Sequence, residues 1–145
     1  MRAAPALALA GLVLAATVAG PVARATAETR DGEGYVIEVV APPASKAGTT
    51  SIATLTVRPR GAWKLNTDYP FKLELAPGAG LRVAKSTLGK QDARAFGARG
   101  ADLDIVITAD KAGTADLAAT VKFATCDDAS CAVHKERFTI TATAR

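Results

Sequence analysis

Asp116-Leu-Ala-Ala-Thr-Val-Lys-Phe-Ala-Thr-Cys-Asp-Asp-Ala-Ser-Cys131 is the stretch that decides how this chain of 145 residues folds. Leu117, Ala119, Val121 and Phe123 fall at every second position, with Asp116, Thr120 and Lys122 between them. A side-chain period of two belongs to a strand with one buried face. The strand runs into Asp127-Asp-Ala-Ser130, a polar segment with turn chemistry, and the only two cysteines of the chain flank it. The parity that buries Val121 and Phe123 puts Cys126 with Lys122 and Ala124 on the opposite face. A Cys126–Cys131 bridge would therefore clamp a hairpin tip from outside the core. The two cysteines are too close in sequence to form the inter-sheet bridge of an immunoglobulin domain, in which one lies early and the other late.

The same alternation recurs outward from this hairpin. Tyr35, Ile37 and Val39; Ala53, Leu55 and Val57; Phe71, Leu73 and Leu75; and Leu103, Ile105 and Ile107 each alternate with other residues, and Phe138 and Ile140 mark a last strand. Leu81 and Val83 predict a further short one. Between the runs lie turn signals at Ala41-Pro-Pro-Ala-Ser, Pro59-Arg-Gly, Ala76-Pro-Gly-Ala-Gly and Asp110-Lys-Ala-Gly. No segment carries a sustained helical stripe. About seven short strands with Gly/Pro turns predict an all-β fold, a single immunoglobulin-like antiparallel β-sandwich, with a small barrel as the alternative. Ser86 to Gly100 is the longest segment without a clear period, and its lone aromatic, Phe96, needs either the core rim or a second site to cover.

The N-terminus predicts export. Arg2 precedes an uncharged Ala/Leu/Val-rich run from Ala3 to Val18, and Ala25-Thr-Ala27 supplies small residues for cleavage. Residues 1–27 read as a signal peptide and 28–145 as one domain. No cysteine near the end of the run could take a lipoprotein anchor. Removing Arg2 and Arg24 lowers the formal charge from +4 to +2, an ordinary soluble surface rather than a nucleic-acid footprint. No later apolar stretch approaches the roughly 20 residues of a membrane span, so no insertion of the mature chain is expected.

Three chemistries are open to the cysteine pair. It can be a structural staple, it can alternate between dithiol and disulfide, or Cys126, Cys131 and His134, with Asp127 or Asp128, can ligate zinc or copper(I). The ligand types suit a metal, yet the spacing is not that of a finger, and the expectation is that no metal or other cofactor is bound. His134 is expected to be solvated at a strand start or bonded to the adjacent loop. Asp127 and Asp128 disfavour a thiolate while Lys122, Lys135, Arg137 and a protonated His134 favour one, so the signs conflict. Hydrolytic and phosphate-binding motifs are lacking in the sequence. Trp63 and Tyr69 are expected to pack a loop over the sandwich end.

Three segments together resemble the N-terminal periplasmic domain of the bacterial thiol:disulfide interchange protein DsbD. They are Val121-Lys-Phe-Ala-Thr-Cys-Asp-Asp-Ala-Ser-Cys131, Gly61-Ala-Trp-Lys-Leu-Asn-Thr-Asp-Tyr-Pro70 and Asp92-Ala-Arg-Ala-Phe-Gly97. The resemblance implies an immunoglobulin-like sandwich in the periplasm, electron transfer through Cys126 and Cys131, and Phe96 on a cap loop over the pair. The family commonly has a proline pair after its second cysteine, where this chain reads Ala132-Val-His134. Family members also continue into a transmembrane and a thioredoxin-like domain, whereas this chain ends at Arg145. The implied partner is thus a separate redox protein, a membrane electron transporter or a thioredoxin-like protein. The alternative expectation is a non-enzymatic extracytoplasmic binding or adaptor domain whose disulfide is only structural.

Overall fold

Strands of alternating polarity can bury their apolar faces only by stacking two sheets face to face. The structure, a computed structural model, describes residues 26–145 together with Ala16 and Gly20. The rest of the expected leader lies outside the described residues, and its expected end at Ala27 is the first residue of the first strand. In chain order the strands are β1 (Ala27–Gly32), β2 (Tyr35–Val40), β3 (Thr50–Pro59), β4 (Lys64–Leu65), β5 (Lys72–Pro77), β6 (Leu81–Val83), β7 (Thr87–Gly89), β8 (Ala95–Gly97), β9 (Gly100–Ala109), β10 (Gly113–Cys126) and β11 (Cys131–Ala144).

One sheet runs β1-β2-β3-β9-β6, with β8 also on β9; the other runs β11-β10-β5-β7, with β4 also on β10. All strand pairs are antiparallel. In the A-to-G scheme of immunoglobulin domains, β2-β3-β9-β6 stands as A-B-E-D and β11-β10-β5 as G-F-C. The strand order itself therefore makes this an immunoglobulin-like sandwich. Its core is the two inner faces: Ile37, Leu55, Leu103 and Ile105 from one sheet meet Leu73, Leu117, Val121 and Ile140 from the other, each fully or almost fully buried.

Two strands escape the alternation rule. β1 is Ala27-Glu-Thr-Arg-Asp-Gly32, polar from Glu28 to Asp31, because it is an edge strand whose side chains meet solvent or the opposite sheet's edge. β4 has only two residues, too few to show a period. The aperiodic Ser86–Gly100 segment holds β7, a 3-10 turn at Lys90–Asp92 and β8. The turn is held by the Gly89 amide donating to Asp92 Oδ2 at 2.9 Å.

Candidate functional site

The longest ladder in the molecule ends at the cysteines. β10 and β11 pair without interruption from Gly113↔Ala144 to Cys126↔Cys131. The two cysteines are thus directly opposed, with Cα atoms 4.0 Å apart, and form a disulfide. The Asp127 amide donates to Ser130 O at 2.9 Å, which makes the neighbouring cysteine pair a non-hydrogen-bonded one, where opposed side chains come closest. Asp127 Oδ1 caps the turn by accepting from the Ala129 amide at 2.9 Å and the Ser130 amide at 2.7 Å. Those two amides, Ala129 first, hold the carboxyl below the ordinary aspartate range. Its charge is thereby committed to the turn.

The disulfide lies on the outward face of its sheet, as parity requires. Cys126 is half-buried and Cys131, on the edge strand β11, is exposed. Ala124 shares that face but is buried, because the Asn66 amide donates to its carbonyl at 2.8 Å and β4 pairs with Thr125 and Cys126. That pairing sets Lys64 directly opposite Cys126, on the side away from Cys131. Sequence reasoning missed Lys64, since nothing local tells a two-residue strand where it will pair.

Behind the disulfide, on the inward face, is a polar and aromatic cluster. His134 is opposed to Phe123, and its ring lies 5.1 Å from that of Phe123 and 4.3 Å from that of Tyr35. Its Nε2 is 2.7 Å from the hydroxyl of the fully buried Thr125. The Tyr35 hydroxyl donates to Glu136 Oε1 at 2.6 Å, and Arg30 Nη1 donates to Glu136 Oε2 at 3.1 Å. Arg30 also stands 4.4 Å from the centre of the Phe138 ring, tying β1 to β11. Burial alone would raise the Glu136 carboxyl, but the Tyr35 and Arg30 hydrogen bonds together hold it below the usual range. The signal for this cluster was available: Glu136 and His134 share the parity of Phe138 and Ile140, and Tyr35 that of Ile37.

This arrangement corrects two expectations. His134 is neither a freely solvated residue nor bonded to the adjacent loop; it is half-buried on the inward face, bonded to Thr125 and packed on Tyr35 and Phe123. The alternative metal set of Cys126, Cys131 and His134 also fails, because three residues along a strand reverse the face and His134 points away from both sulfurs. Among the described residues no cluster of His, Cys, Asp and Glu could hold a metal ion.

Burial lowers the His134 pKa from its model-peptide value of 6.5, with Glu136 and Glu33 opposing the shift. Between the folded and unfolded values the unfolded chain binds the extra proton. Stability should therefore be complete above about pH 6.5 and fall as pH drops towards the lowered folded value. The urea midpoint is expected to be lower at pH 5 than at pH 7, and His134→Gln should reduce that difference. An equal loss in the variant would assign the pH dependence to other groups.

The remaining aromatic candidates are structural in their contacts. Trp63 lies over the β1–β2 turn, so close to Gly34 that an added Cβ would meet its ring at 2.5 Å. Tyr69 follows an Asn66 turn, its amide donating to Asn66 Oδ1 at 3.3 Å. Phe96 is half-buried on the core rim, edge-on to Phe71 at 5.5 Å. The tip of its hairpin reaches the site through β4, since Ala98 O accepts the Leu65 amide at 2.9 Å and Leu65 pairs with Thr125.

No family model matches the chain, and no curated protein matches it. Among solved structures it is similar to the GAE domain of GGA2p from Saccharomyces cerevisiae, at 9% identity over 79% of this chain and 97% of that one, with a TM-score of 0.48. It is similar also to a conjugative transposon lipoprotein from Bacteroides eggerthii, at 11% identity over 75% and 98% of the two chains and a TM-score of 0.41. A third is the ASH/PapD-like domain of human CEP192, at 14% identity over 97% and 98% and a TM-score of 0.37. The fold assignment rests on the strand order and draws nothing from these likenesses.

Proposed function

We propose that the protein is an exported thiol–disulfide exchange domain, similar in role to the N-terminal domain of DsbD, with Cys126 and Cys131 as its reactive pair. The observation that carries this reading is the placement of the disulfide: outside the core, at a hairpin tip, with one sulfur on an open sheet edge. Residues 1–27, read as a signal peptide, support a periplasmic location, where such a bond persists.

Access selects the sulfur that reacts. A thiolate must approach along the S–S axis, and beyond Cys131 lies the open edge of β11, whereas beyond Cys126 stands β4 with Lys64. The partner's thiolate attacks Cys131 Sγ, the S–S bond breaks, and Cys126 leaves as a thiolate beside the Lys64 ammonium. A second thiolate of the partner then attacks its own sulfur in the mixed disulfide, releasing Cys131. The partner ends as a disulfide and this domain as a dithiol, two electrons richer, with protons taken from water. By the analogy with DsbD, the hairpin of Phe96, bonded to β4 through Ala98, would screen the pair on that side. The partner is a separate redox protein, a membrane electron transporter or a thioredoxin-like protein.

Cys126→Ala leaves Cys131 as a thiol without its own partner; its thiolate should attack the disulfide of the oxidised partner, release one partner thiolate, and accumulate in periplasmic extracts the mixed disulfide that Cys126 would otherwise resolve in that reverse direction. Capture by Cys131→Ala alone would reverse the assigned roles, and capture by neither would end the exchange reading. A reduction potential well below about −300 mV would favour the staple reading. On that reading, replacing both cysteines with alanine costs roughly 2 kcal/mol, the loop-closure value for so short a ring, and leaves partner binding intact.

A further inference from the structure

The outward faces of the two sheets are charged in different ways. On the sheet of β9 the basic residues have acidic neighbours: Arg58 pairs with Asp102, Arg94 with Asp104 at 2.7 Å, and Arg82 with Asp110 at 2.8 Å. On the disulfide sheet, register lines up Lys72, Lys122 and Lys135 in one row across β5, β10 and β11. Like charges directly opposed across strands destabilise a sheet, so such a row works against folding. The adjoining row supplies Glu74, which bonds Lys72 Nζ at 2.6 Å. The field of the row reaches that carboxyl, which Lys72 first, then Lys122 and Lys135, hold below its ordinary range. Among the described residues Lys122 and Lys135 form no ion pair.

Between this row and the disulfide, Val133 is 63% exposed on β11, opposite Ala124. A large apolar side chain flanked by unpaired lysines and a reactive bond has the anatomy of a small interface, with an apolar anchor inside a polar rim. The negative charge beside the disulfide sits at the hairpin tip, on the far side of the bond from the row, where Asp127 is turned onto its own turn amides and Asp128 is exposed.

We propose that this face docks an acidic protein surface, with Lys72, Lys122 and Lys135 as the recognition row, Val133 as the anchor, and the Cys126–Cys131 bond at its margin. The proposal rests on the exchange reading and adds the chemistry of the partner: carboxylates beside its reactive cysteine. A protein is favoured over a lipid surface because the disulfide at the margin has a use only for a partner bearing a thiol.

Two synthetic peptides, each with one cysteine flanked by glutamates or by lysines, test it as thiols forming mixed disulfides with the full protein. The glutamate peptide should react about 10-fold faster at low ionic strength, the scale of electrostatic steering. The ratio should approach one in about 1 M salt. In Lys122→Glu/Lys135→Glu the preference should invert; dithiothreitol, which also attacks as a thiolate, gives each protein's basal rate, to which both peptide rates are normalised. Equal peptide rates in the unmodified protein, or a preference that survives charge reversal, would overturn the docking surface and leave exchange standing. Resistance to dithiothreitol would instead sink the exchange reading. The surface is then judged by a cysteine-free glutamate peptide: amide shifts on β10 and β11 that vanish in the double variant uphold it, and no shifts reject it. Sedimentation with phosphatidylglycerol vesicles at about 0.15 M salt, lost in the same variant, would reassign the face to lipid and overturn the proposal.

Discussion

Tyr35→Ala is expected to lower the unfolding free energy by about 3–5 kcal/mol, the range for removing a buried aromatic ring. Tyr35 is 3% exposed, with its ring edge-on to Phe123 at 5.0 Å and against His134 at 4.3 Å. The backbone is fitted to it: a Cβ on Gly32 would fall 2.0 Å from Tyr35 Cζ. Truncation opens a void between the sheets and takes a donor from Glu136. Tyr35→Phe keeps the ring and removes only that donor, so it should cost about 1–3 kcal/mol. Urea unfolding of the two variants separates packing from the hydrogen bond. Against a total of about 5–15 kcal/mol, the alanine variant would come close to unfolding a domain at the low end of that range. A loss under about 1 kcal/mol would mean that the cluster behind the disulfide is not packed between the sheets.

Gly100→Ala should be the second large effect, at about 2–4 kcal/mol, from backbone strain and overpacking together. Gly100 has φ of 142°, a conformation reserved for glycine, and an added Cβ would sit 2.3 Å from the Val57 carbonyl oxygen. Neither atom can yield cheaply, because Val57 and Ala101 are paired in the β3–β9 ladder. The hairpin that carries Phe96 closes at Gly97↔Gly100, so the clash is relieved by moving that hairpin away. The variant should therefore unfold at lower urea and react faster with small thiols at Cys126–Cys131. Phe96→Ala tests the second half alone, by the rate of disulfide reduction with the fold intact. An unchanged rate there would remove Phe96 and its hairpin from the site.

What could be read from the chain was whatever the strand period carries. Leu117 to Phe123 alternate because one face of β10 is buried, and the same rule puts Cys126 and Cys131 outside the core. The expected bridge across Asp127–Ser130 is the one observed. The rule failed where burial is shaped by neighbours that are remote in sequence. His134 looked solvated because it is polar and near a turn, yet Tyr35, from the other sheet, covers it. β1 carries no alternating apolar signal because an edge strand without a buried side chain needs none, and Arg30 finds Glu136 only across 106 positions of chain.

The sequence by itself determined the alternating strands, their inward residues and the closeness of the two thiols, because alternation and short loops are local properties. Tertiary structure alone decided how the charges around the disulfide are arranged. Register brought Lys72, Lys122 and Lys135 into one row and Lys64 beside Cys126, and strand order put Cys131 on an open edge. Register and edge position arise from pairing between segments far apart in the chain, where no local period reaches.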